Sequence, residues 1–520
     1  MTEKKKIAAA TMVMALATSL SRIAGLVRDI VVARLFGAGM MTDAFFMAFT
    51  IPNLLRRFFG EGSLTAAFVP TFSEVFHHRG EKEAQQLANK CVTLLLLMML
   101  VIVTLGVVFS PWIVQGIGYG FGQVEGKLQL TSQLNRIMFP YIGLVSMLAL
   151  LTGILNVRGH FFLPSLSPLF LNLAMIISAL TLGQLFEKPI FSLAIGVLLG
   201  GIVQLLIQVP VLCRYKIRLR FNFNFRGDPH LHKIMTLMLP GIAGVAIYQI
   251  NIIVTRLLAS FLPEGSVSYL YYGQRLFEFP QGIFIVSLAQ AALPMMSRQV
   301  ADDDHEGMRQ SLTFALTLIT LFTLPAIVGL IICAKPIYSL FFLGGEFGLT
   351  ALENTALALI CYAPGLIFVG YSRIAAQTFY ALKDTRTPVV ISFWTLLVNL
   401  ILGAVLMQYY GFVGLAIALT VASMFNALML LIMLQRRVGT FFQKVLYKPV
   451  LKVIPACVLM ALAVSFLLNS VDWLQPGLLL NKSLALSAAV VVGAVIYLGC
   501  CYLFKVDEIH QGWRLLRHRR

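Results

Sequence analysis

Residues 21–70 read SRIAGLVRDIVVARLFGAGMMTDAFFMAFTIPNLLRRFFGEGSLTAAFVP, and they place arginines inside apolar segments of membrane-spanning length. Arg22 and Arg28 lie in the first segment, and the adjacent Arg56 and Arg57 lie in the second. Arg275 lies in a much later apolar segment. A charged side chain at bilayer depth costs roughly 2.5–3.5 kcal/mol, so cations retained there usually face a wet cavity. The pattern predicts an anion-binding cavity inside a membrane protein.

The composition of the whole chain also indicates a membrane protein. Of its 520 residues, 59% are hydrophobic and 12% are charged, whereas a soluble domain carries about 25% charged residues. The apolar runs are long and continuous, which favours helices over barrel strands. About 20 residues span the hydrocarbon core, so we predict an all-α polytopic membrane protein with about fourteen spans. The expected spans are residues 7–35, 41–72, 88–112, 130–156, 165–186, 189–213, 235–262, 269–300, 311–334, 351–380, 387–408, 413–434, 449–469 and 482–504.

Lysines and arginines are distributed unevenly between alternate predicted loops. One set of loops, which includes both termini, holds 27 of them, and the opposite set holds only Lys127, Lys188 and Lys482. Basic residues concentrate in cytoplasmic loops. Both termini are therefore expected in the cytoplasm. The net charge of +18 then reflects topology and contact with anionic lipid, and not a nucleic-acid site.

The sequence repeats itself at an offset of 224 residues. This offset places three prolines on three others, namely Pro70 on Pro294, Pro140 on Pro364 and Pro164 on Pro388. It covers six spans, so the two copies share an orientation, as parallel transporter repeats do. We expect two pseudo-symmetric six-helix lobes (1–215 and 235–436), a basic cytoplasmic linker (216–234), and two further helices with a basic cytoplasmic tail (437–520). The linker contains FNFNF, which fits either an amphipathic interfacial stretch or a solvated connection.

The arginines in the spans have two interpretations. Arginine presents a planar fork of donors that suits phosphate oxygens. Counted at about 1.5 Å per residue, Arg22 and Arg56 fall at similar depths and Arg28 and Arg275 lie nearer the outer side, so the four could share one cavity wall. The alternative is pairing within the membrane: Arg28 with Asp29, Arg57 with Glu61, Arg275 with Glu278, and Asp43 with any of the arginines.

Motifs for catalysis and nucleotide binding are absent from the sequence. It has no G-x-x-x-x-G-K-[ST], G-x-S-x-G or H-E-x-x-H, and its eight histidines lie in predicted loops or in the tail. Its seven cysteines show neither a disulfide framework nor a C-x-x-C site. We therefore expect a transporter and not an enzyme, with no catalytic residue, cofactor or metal site.

Residues 21–70 closely resemble the start of the MurJ (MviN) family, which are bacterial lipid II flippases of the MOP exporter superfamily. Residues 139–156, 266–284 and 379–389 (FYALKDTRTPV) resemble the family as well, and the similarity runs the full length. The resemblance implies that cavity arginines correspond to Arg22, Arg28, Arg56 and Arg275, with nearby acids at Asp29, Asp43, Glu61 and Glu278. One departure is Gly273-Gln274, where relatives carry Ala-Asp, which removes an acid beside Arg275.

The resemblance also implies a substrate. Lipid II is an undecaprenyl diphosphate that bears a disaccharide-pentapeptide. Its diphosphate needs cationic forks, its head needs a wide polar cavity, and its polyprenyl tail can stay in the lipid. The expectation is a monomer in the bacterial inner membrane that flips lipid II by alternating access, with membrane lipids and cell-wall synthesis proteins as further partners.

Other functions stay open on the residues alone. A flippase for another polyprenyl-diphosphate oligosaccharide would share this fold and charge pattern. A multidrug or cation antiporter of the same superfamily would need an anionic, aromatic cavity, and twelve spans would be usual. A membrane enzyme acting on polyprenyl phosphates would need catalytic groups in a sizeable outer loop, and the longest predicted one is residues 113–129.

Overall fold

The computed structural model describes residues 3–56, 63–440, 442–475, 477–504 and 506. Within these ranges the chain is helical, and the only β pairing is an isolated bridge between Gly344 and Phe347. The all-α prediction is thereby confirmed. The chain forms two compact units, with the boundary between Ser268 and Tyr269. Two candidate site residues, Arg57 and Glu61, lie outside the described residues.

The first unit holds eleven helices and the start of a twelfth. They are α1 (Glu3–Phe36), α2 (Met40–Arg56), α3 (Ser63–Arg79), α4 (Glu81–Val108), α5 (Ser110–Ile117), α6 (Lys127–Met138), α7 (Tyr141–Val157), α8 (Phe162–Leu182), α9 (Phe191–Leu206), α10 (Val209–Arg214), α11 (Pro229–Ser260) and α12 (Ser266–Pro280). Helix α1 packs on α8, α8 on α9, α2 on α6, and α11 on α3. A buried apolar cluster runs through α3, α4 and α7 and includes Phe68, Leu95 and Ile154.

The second unit holds the rest of α12 and seven further helices. They are α13 (Val286–Ala301), α14 (His305–Phe341), α15 (Leu349–Tyr362), α16 (Gly365–Ala381), α17 (Arg386–Val438), α18 (Phe442–Leu468) and α19 (Leu479–Leu503). Helix α16 packs on α17, and α14 packs on both α16 and α18. Helices α18 and α19 pair with each other, and their buried cluster includes Val453, Cys457 and Ala489.

Helix boundaries recur at the offset of 224 residues. Helix α7 shifted by 224 residues covers 365–381, which are the bounds of α16, and α4 and α14 begin at positions 81 and 305. The breaks before α7 and α16 fall at Pro140 and Pro364, because proline cannot donate a backbone N–H to the preceding turn. The assignment of residues 1–215 and 235–436 to two lobes stays a prediction, since α11 packs on α3 and α4 in the first unit.

Helix α17 is a hairpin and not one straight rod. Its 53 residues would extend about 80 Å, far more than the roughly 30 Å core of a bilayer. Gly411 inside it has φ 57° and ψ −134°, which breaks the helix. The Asn426 side-chain amide donates to Thr395 Oγ1 over 2.9 Å, although these residues would be about 46 Å apart in a straight helix. The two arms of α17 therefore match the two spans predicted on either side of residues 409–412.

The number of spans is smaller when each helix is judged by length and apolarity. Within the described residues, nine helices or continuous helical stretches are long and apolar enough to cross a membrane, or ten if the pair α15 and α16, bent by 41°, counts as one. That count treats both arms of α17 as one and leaves out α1. The figure of fourteen stays a prediction.

Candidate functional site

The Arg28 guanidinium lies in the contact between α1 and α8. Its side chain is 8% exposed, and its Nη2 and Nε donate to Asp29 Oδ1 over 2.6 and 3.0 Å. Nη1 donates to Asn172 Oδ1 over 3.1 Å, and the Asn172 amide donates onward to the Ser21 carbonyl over 3.2 Å. Hydrogen bonds between charged groups are shorter and stronger than neutral ones. Arg28 is therefore held in a fixed orientation by one carboxylate and one amide.

Arg22 faces a different direction from Arg28. Six residues of α-helix separate them, which places them roughly 120° apart around the axis of α1. Arg22 is exposed, whereas Arg28 is buried. The two positions thus combine a fixed cation inside the packing with an accessible cation on the helix surface.

Arg56 and Arg275 are each half-buried. Arg56 ends α2, and its Nε donates to Asn53 Oδ1 over 3.1 Å one turn earlier. Arg275 in α12 donates through Nη1 to Glu278 Oε2 over 3.2 Å, and both side chains are about one third exposed. The pairing alternatives for Arg28 and Arg275 are therefore present in the structure, and both guanidinium groups keep further donors.

Asp43 lies in a different network from the arginines. Its carboxylate accepts from Lys127 Nζ over 2.9 Å, with both side chains 1% exposed. It also accepts from the backbone N–H groups of Gly265 and Ser268 and from Ser268 Oγ, over 2.7–2.9 Å. Lys127 Nζ lies 4.2 Å from the centre of the Phe121 ring as well. A buried carboxylate with this many donors fixes α2, α6 and the start of α12 to one another.

The candidate residues are distributed over both units. Arg22, Arg28, Asp29, Asp43 and Arg56 belong to the first unit. Arg275 and Glu278 belong to the second. The structure thus places Arg28 with Asp29 and Arg275 with Glu278, and it brings Asp43 to Lys127.

Three residues of these networks were missed from the sequence. Asn172 orients Arg28 from a helix 144 residues away, and its signal was a lone amide in an apolar span. Lys127 was counted as a solvated loop charge. Arg256 lies near the end of α11 and donates to the Val267 carbonyl over 3.1 Å, and its signal was a cation in an apolar segment. Among the described residues, no group of three His, Cys, Asp or Glu side chains is arranged to hold a metal ion.

Known proteins similar to this chain share its fold and most of its length. A probable lipid II flippase MurJ of Vibrio cholerae is 36% identical over 437 residues, which are 82% of this chain and 83% of that protein. A solved structure of lipid II flippase MurJ in an inward closed conformation covers 96% of this chain and 100% of its own, with 29% identity and a TM-score of 0.80.

A more distant likeness shows the superfamily fold. An inward-facing multidrug resistance MATE transporter of the MOP superfamily has 14% identity and a TM-score of 0.68, and the match covers 83% of this chain and 99% of that one. The family model described as lipid II flippase MurJ matches residues 32–484. Because this match covers most of the chain, the protein belongs to the MurJ family of lipid II flippases.

Proposed function

We propose that this chain moves lipid II from the inner to the outer leaflet of the bacterial plasma membrane. The match of the family model over residues 32–484 carries the proposal. The chain is then a multi-pass transporter and not an enzyme, because translocation requires binding and conformational change without bond making. Alternating access would expose the substrate cavity first to one side of the membrane and then to the other.

We propose further that arginines hold the diphosphate. Arg22, Arg28, Arg56, Arg57 and Arg275 are the substrate-binding residues of this hypothesis, and Asp29, Asp43, Glu61 and Glu278 are the supporting acids. The Arg28–Asp29 contact supports it physically, since a guanidinium kept at bilayer depth needs a counter-charge while no substrate is bound. A diphosphate carries more negative charge than one carboxylate and can take over Arg28 donors or share them with Asp29.

Growth of a bacterium that lacks its own flippase tests these arginines. We expect Arg22→Ala, Arg28→Ala, Arg56→Ala and Arg275→Ala each to abolish or severely weaken complementation while the protein still inserts. Lysine replacements should restore activity in part, because the charge returns without the bidentate fork. Arg136→Ala is the matched control, since Arg136 is exposed and lies nearer a span end. Full growth with all four alanine variants would refute the arginine hypothesis.

Direct binding distinguishes this function from its alternatives. In native mass spectrometry, the purified chain should bind lipid II, and the Arg28→Ala/Arg275→Ala variant should bind it at least tenfold more weakly. Equal binding of other polyprenyl-diphosphate oligosaccharides would favour a broader flippase. Tight binding of a lipophilic cation that depends on Glu278, without lipid II binding, would favour the antiporter function of the distant structural relative.

The orientation and the partners belong to the same proposal. Both termini lie in the cytoplasm, membrane lipids surround a monomer, and cell-wall synthesis proteins are its protein partners. Gln123→Cys and Arg226→Cys test the orientation, because both positions are exposed. With the exposed Cys213 replaced, an impermeant thiol reagent applied from outside should label position 123 and spare position 226. Labelling of both from one side would exclude this topology.

A further inference from the structure

Residues 217–226, here called the interfacial segment, form an extended stretch between α10 and α11. Its sequence IRLRFNFNFR alternates apolar with basic or amide residues at every position. The backbone before it turns at Lys216 with φ 55°, and the backbone after it turns at Gly227 with φ 73°. In an extended chain, alternate side chains point to opposite sides. The apolar and the polar residues therefore occupy two separate sides of one short segment.

A row of polar side chains on α4 holds this segment in place. Gln85 Nε2 donates to the Arg218 carbonyl over 2.9 Å. The Arg220 N–H donates to Asn89 Oδ1 over 3.2 Å, and the Asn222 N–H donates to Thr93 Oγ1 over 2.9 Å. Four residues of α-helix rise about 6.0 Å and two residues of extended chain about 6.6 Å, so the two repeats match. The segment is thus bound along α4 in a defined register.

The exposed surface of α4 changes character beside this row. On the side before it, the exposed residues are polar, at Glu81, Lys82, Glu83 and Gln86. On the side after it, they are apolar, at Leu96, Leu97, Leu100 and Val101. An exposed polar surface meets water, and an exposed apolar surface on a membrane helix meets lipid. The row therefore crosses the boundary between water and lipid, and the segment lies at that boundary.

The middle of the segment presents aromatic rings outward. Phe221 is 72% exposed and Phe223 is 64% exposed, and their ring centres are 6.3 Å apart. The ends differ, because Ile217 is buried and Phe225 packs on the core cluster of the first unit. The anchored ends and exposed middle form a rigid apolar surface at the level of the lipid headgroups.

The positive charge around these rings is not neutralised locally. Acids nearby are occupied by other cations: Asp228 by Lys90, Glu74 by Lys233 and Glu81 by Arg158, each over 2.6–2.7 Å. Throughout the described part of the chain, no carboxylate forms an ion pair with Lys216, Arg218, Arg220 or Arg226. Clusters of basic residues at the membrane surface attract anionic lipid headgroups.

We infer that the interfacial segment is a binding site for anionic phospholipid. Phe221 and Phe223 insert beside the acyl chains, and Arg218, Arg220 and Arg226 contact the lipid phosphate. Row residues Asn89 and Thr93 act as positioning residues, because they fix the backbone that carries both groups. The inference does not depend on which substrate the protein transports.

Fluorescence quenching in reconstituted bilayers tests this site. The probe is Phe223→Trp in the full chain, compared with the parent protein, in phosphatidylcholine vesicles that contain brominated phosphatidylglycerol or brominated phosphatidylcholine at equal fractions. We expect Trp at position 223 to be quenched at least twofold more strongly by the anionic lipid at low salt. Adding Arg218→Gln and Arg220→Gln should lower the relative affinity for anionic lipid on the order of tenfold.

The matched control is Phe466→Trp. Phe466 is 80% exposed on α18, and no lysine or arginine lies within ten residues of it. Trp at position 466 should respond equally to both lipids. Asn89→Leu/Thr93→Val should weaken quenching at position 223 and leave position 466 unchanged.

Several outcomes would overturn the inference. Equal quenching of position 223 by both lipids would mean apolar contact without an anionic site. Quenching by aqueous iodide alone would mean that the segment faces water or a protein partner. Competition by lipid II but not by phosphatidylglycerol would assign the site to the polyprenyl diphosphate instead.

Discussion

Residues 141–157 and 365–381 form helices of equal length at equivalent places in the two copies of the repeat, and both follow a proline. The charges of the two copies differ. The positions of Arg28 and Asp29 are occupied by Ile252 and Ile253 in the second copy. Those of Asp43 and Lys127 are occupied by Val267 and Ala351.

This contrast separates the scaffold from its chemistry. Helix boundaries depend on proline, glycine and apolar length, which both copies retain. Buried charges contribute nothing to these boundaries and are costly in a membrane. Their presence in one copy only indicates that they were kept for a role the scaffold does not need. Replacing charges of the first copy with the residues of the second therefore tests how far the two roles are separable.

The largest effect is expected at Asp43 and Lys127. Asp43→Val leaves the Lys127 ammonium buried without its carboxylate, and removing one partner of a buried pair costs about 3–5 kcal/mol. The double variant Asp43→Val/Lys127→Ala reproduces the second copy and should recover at least half of this loss. Thermal unfolding of the purified protein, followed by intrinsic fluorescence, measures both. If the double variant is as unstable as the sum of the single variants, the pair is not the source of the loss.

A smaller effect on stability, with a large one on binding, is expected at Arg28 and Asp29. Asp29→Ile should destabilise the protein by about 2–3 kcal/mol, because Arg28 stays buried and keeps only weaker partners. Arg28→Ile/Asp29→Ile should be near neutral for stability, since apolar replacement of a buried pair is often tolerated. The same double variant should bind lipid II at least tenfold more weakly in native mass spectrometry. Unchanged binding would show that Arg28 serves only the packing of α1 on α8.

The sequence predicted the scaffold better than these networks. Apolar length and proline spacing are local signals, and they gave the all-α class and the repeat that the helix boundaries follow. The adjacent pair Arg28–Asp29 was foreseen as one alternative for the same reason. Asn172 and Lys127 were not, because they meet Arg28 and Asp43 across 144 and 84 residues and no periodicity reports such contacts. The binding roles of the arginines stay a prediction.

The hairpin turns of the two copies allow a test of backbone strain. The turn at Gly411 uses a conformation that only glycine adopts readily, whereas the first copy has Glu187 at the equivalent position in a longer connection. Gly411→Ala should cost about 1–3 kcal/mol through the backbone alone, since a Cβ there would meet nothing within 4 Å. Gly329→Ala in α14 is the control, because it also has open space and an ordinary φ, and it should not destabilise the protein. Equal unfolding temperatures for the two variants would contradict the assignment of strain to Gly411.

The smallest effect concerns the equivalent corners at His160 and Asp384. Both backbone N–H groups close a helix end over 2.9 Å, His160 to the Leu155 carbonyl and Asp384 to the Phe379 carbonyl. Burial, helped by the Arg214 charge, lowers the pKa of His160 below 6.5. Hydrogen bonding from the Thr387 side chain, with smaller backbone and Arg437 contributions, lowers the pKa of Asp384 below 3.8.

The lowered pKa values place the acid sensitivity of the two corners in different pH ranges. A group whose pKa is lower in the folded than in the unfolded state contributes stability above its unfolded pKa and loses it as the pH falls through the folded value. Between pH 7.5 and 5.5 the His160 corner should therefore loosen, while the Asp384 corner should stay unchanged. Amide hydrogen exchange, corrected for its intrinsic pH dependence, should rise severalfold at residue 160 and remain constant at residue 384. His160→Asn should remove the rise, because the amide side chain does not titrate in this range, and equal increases at both corners would show that acid acts on the whole protein and not on His160.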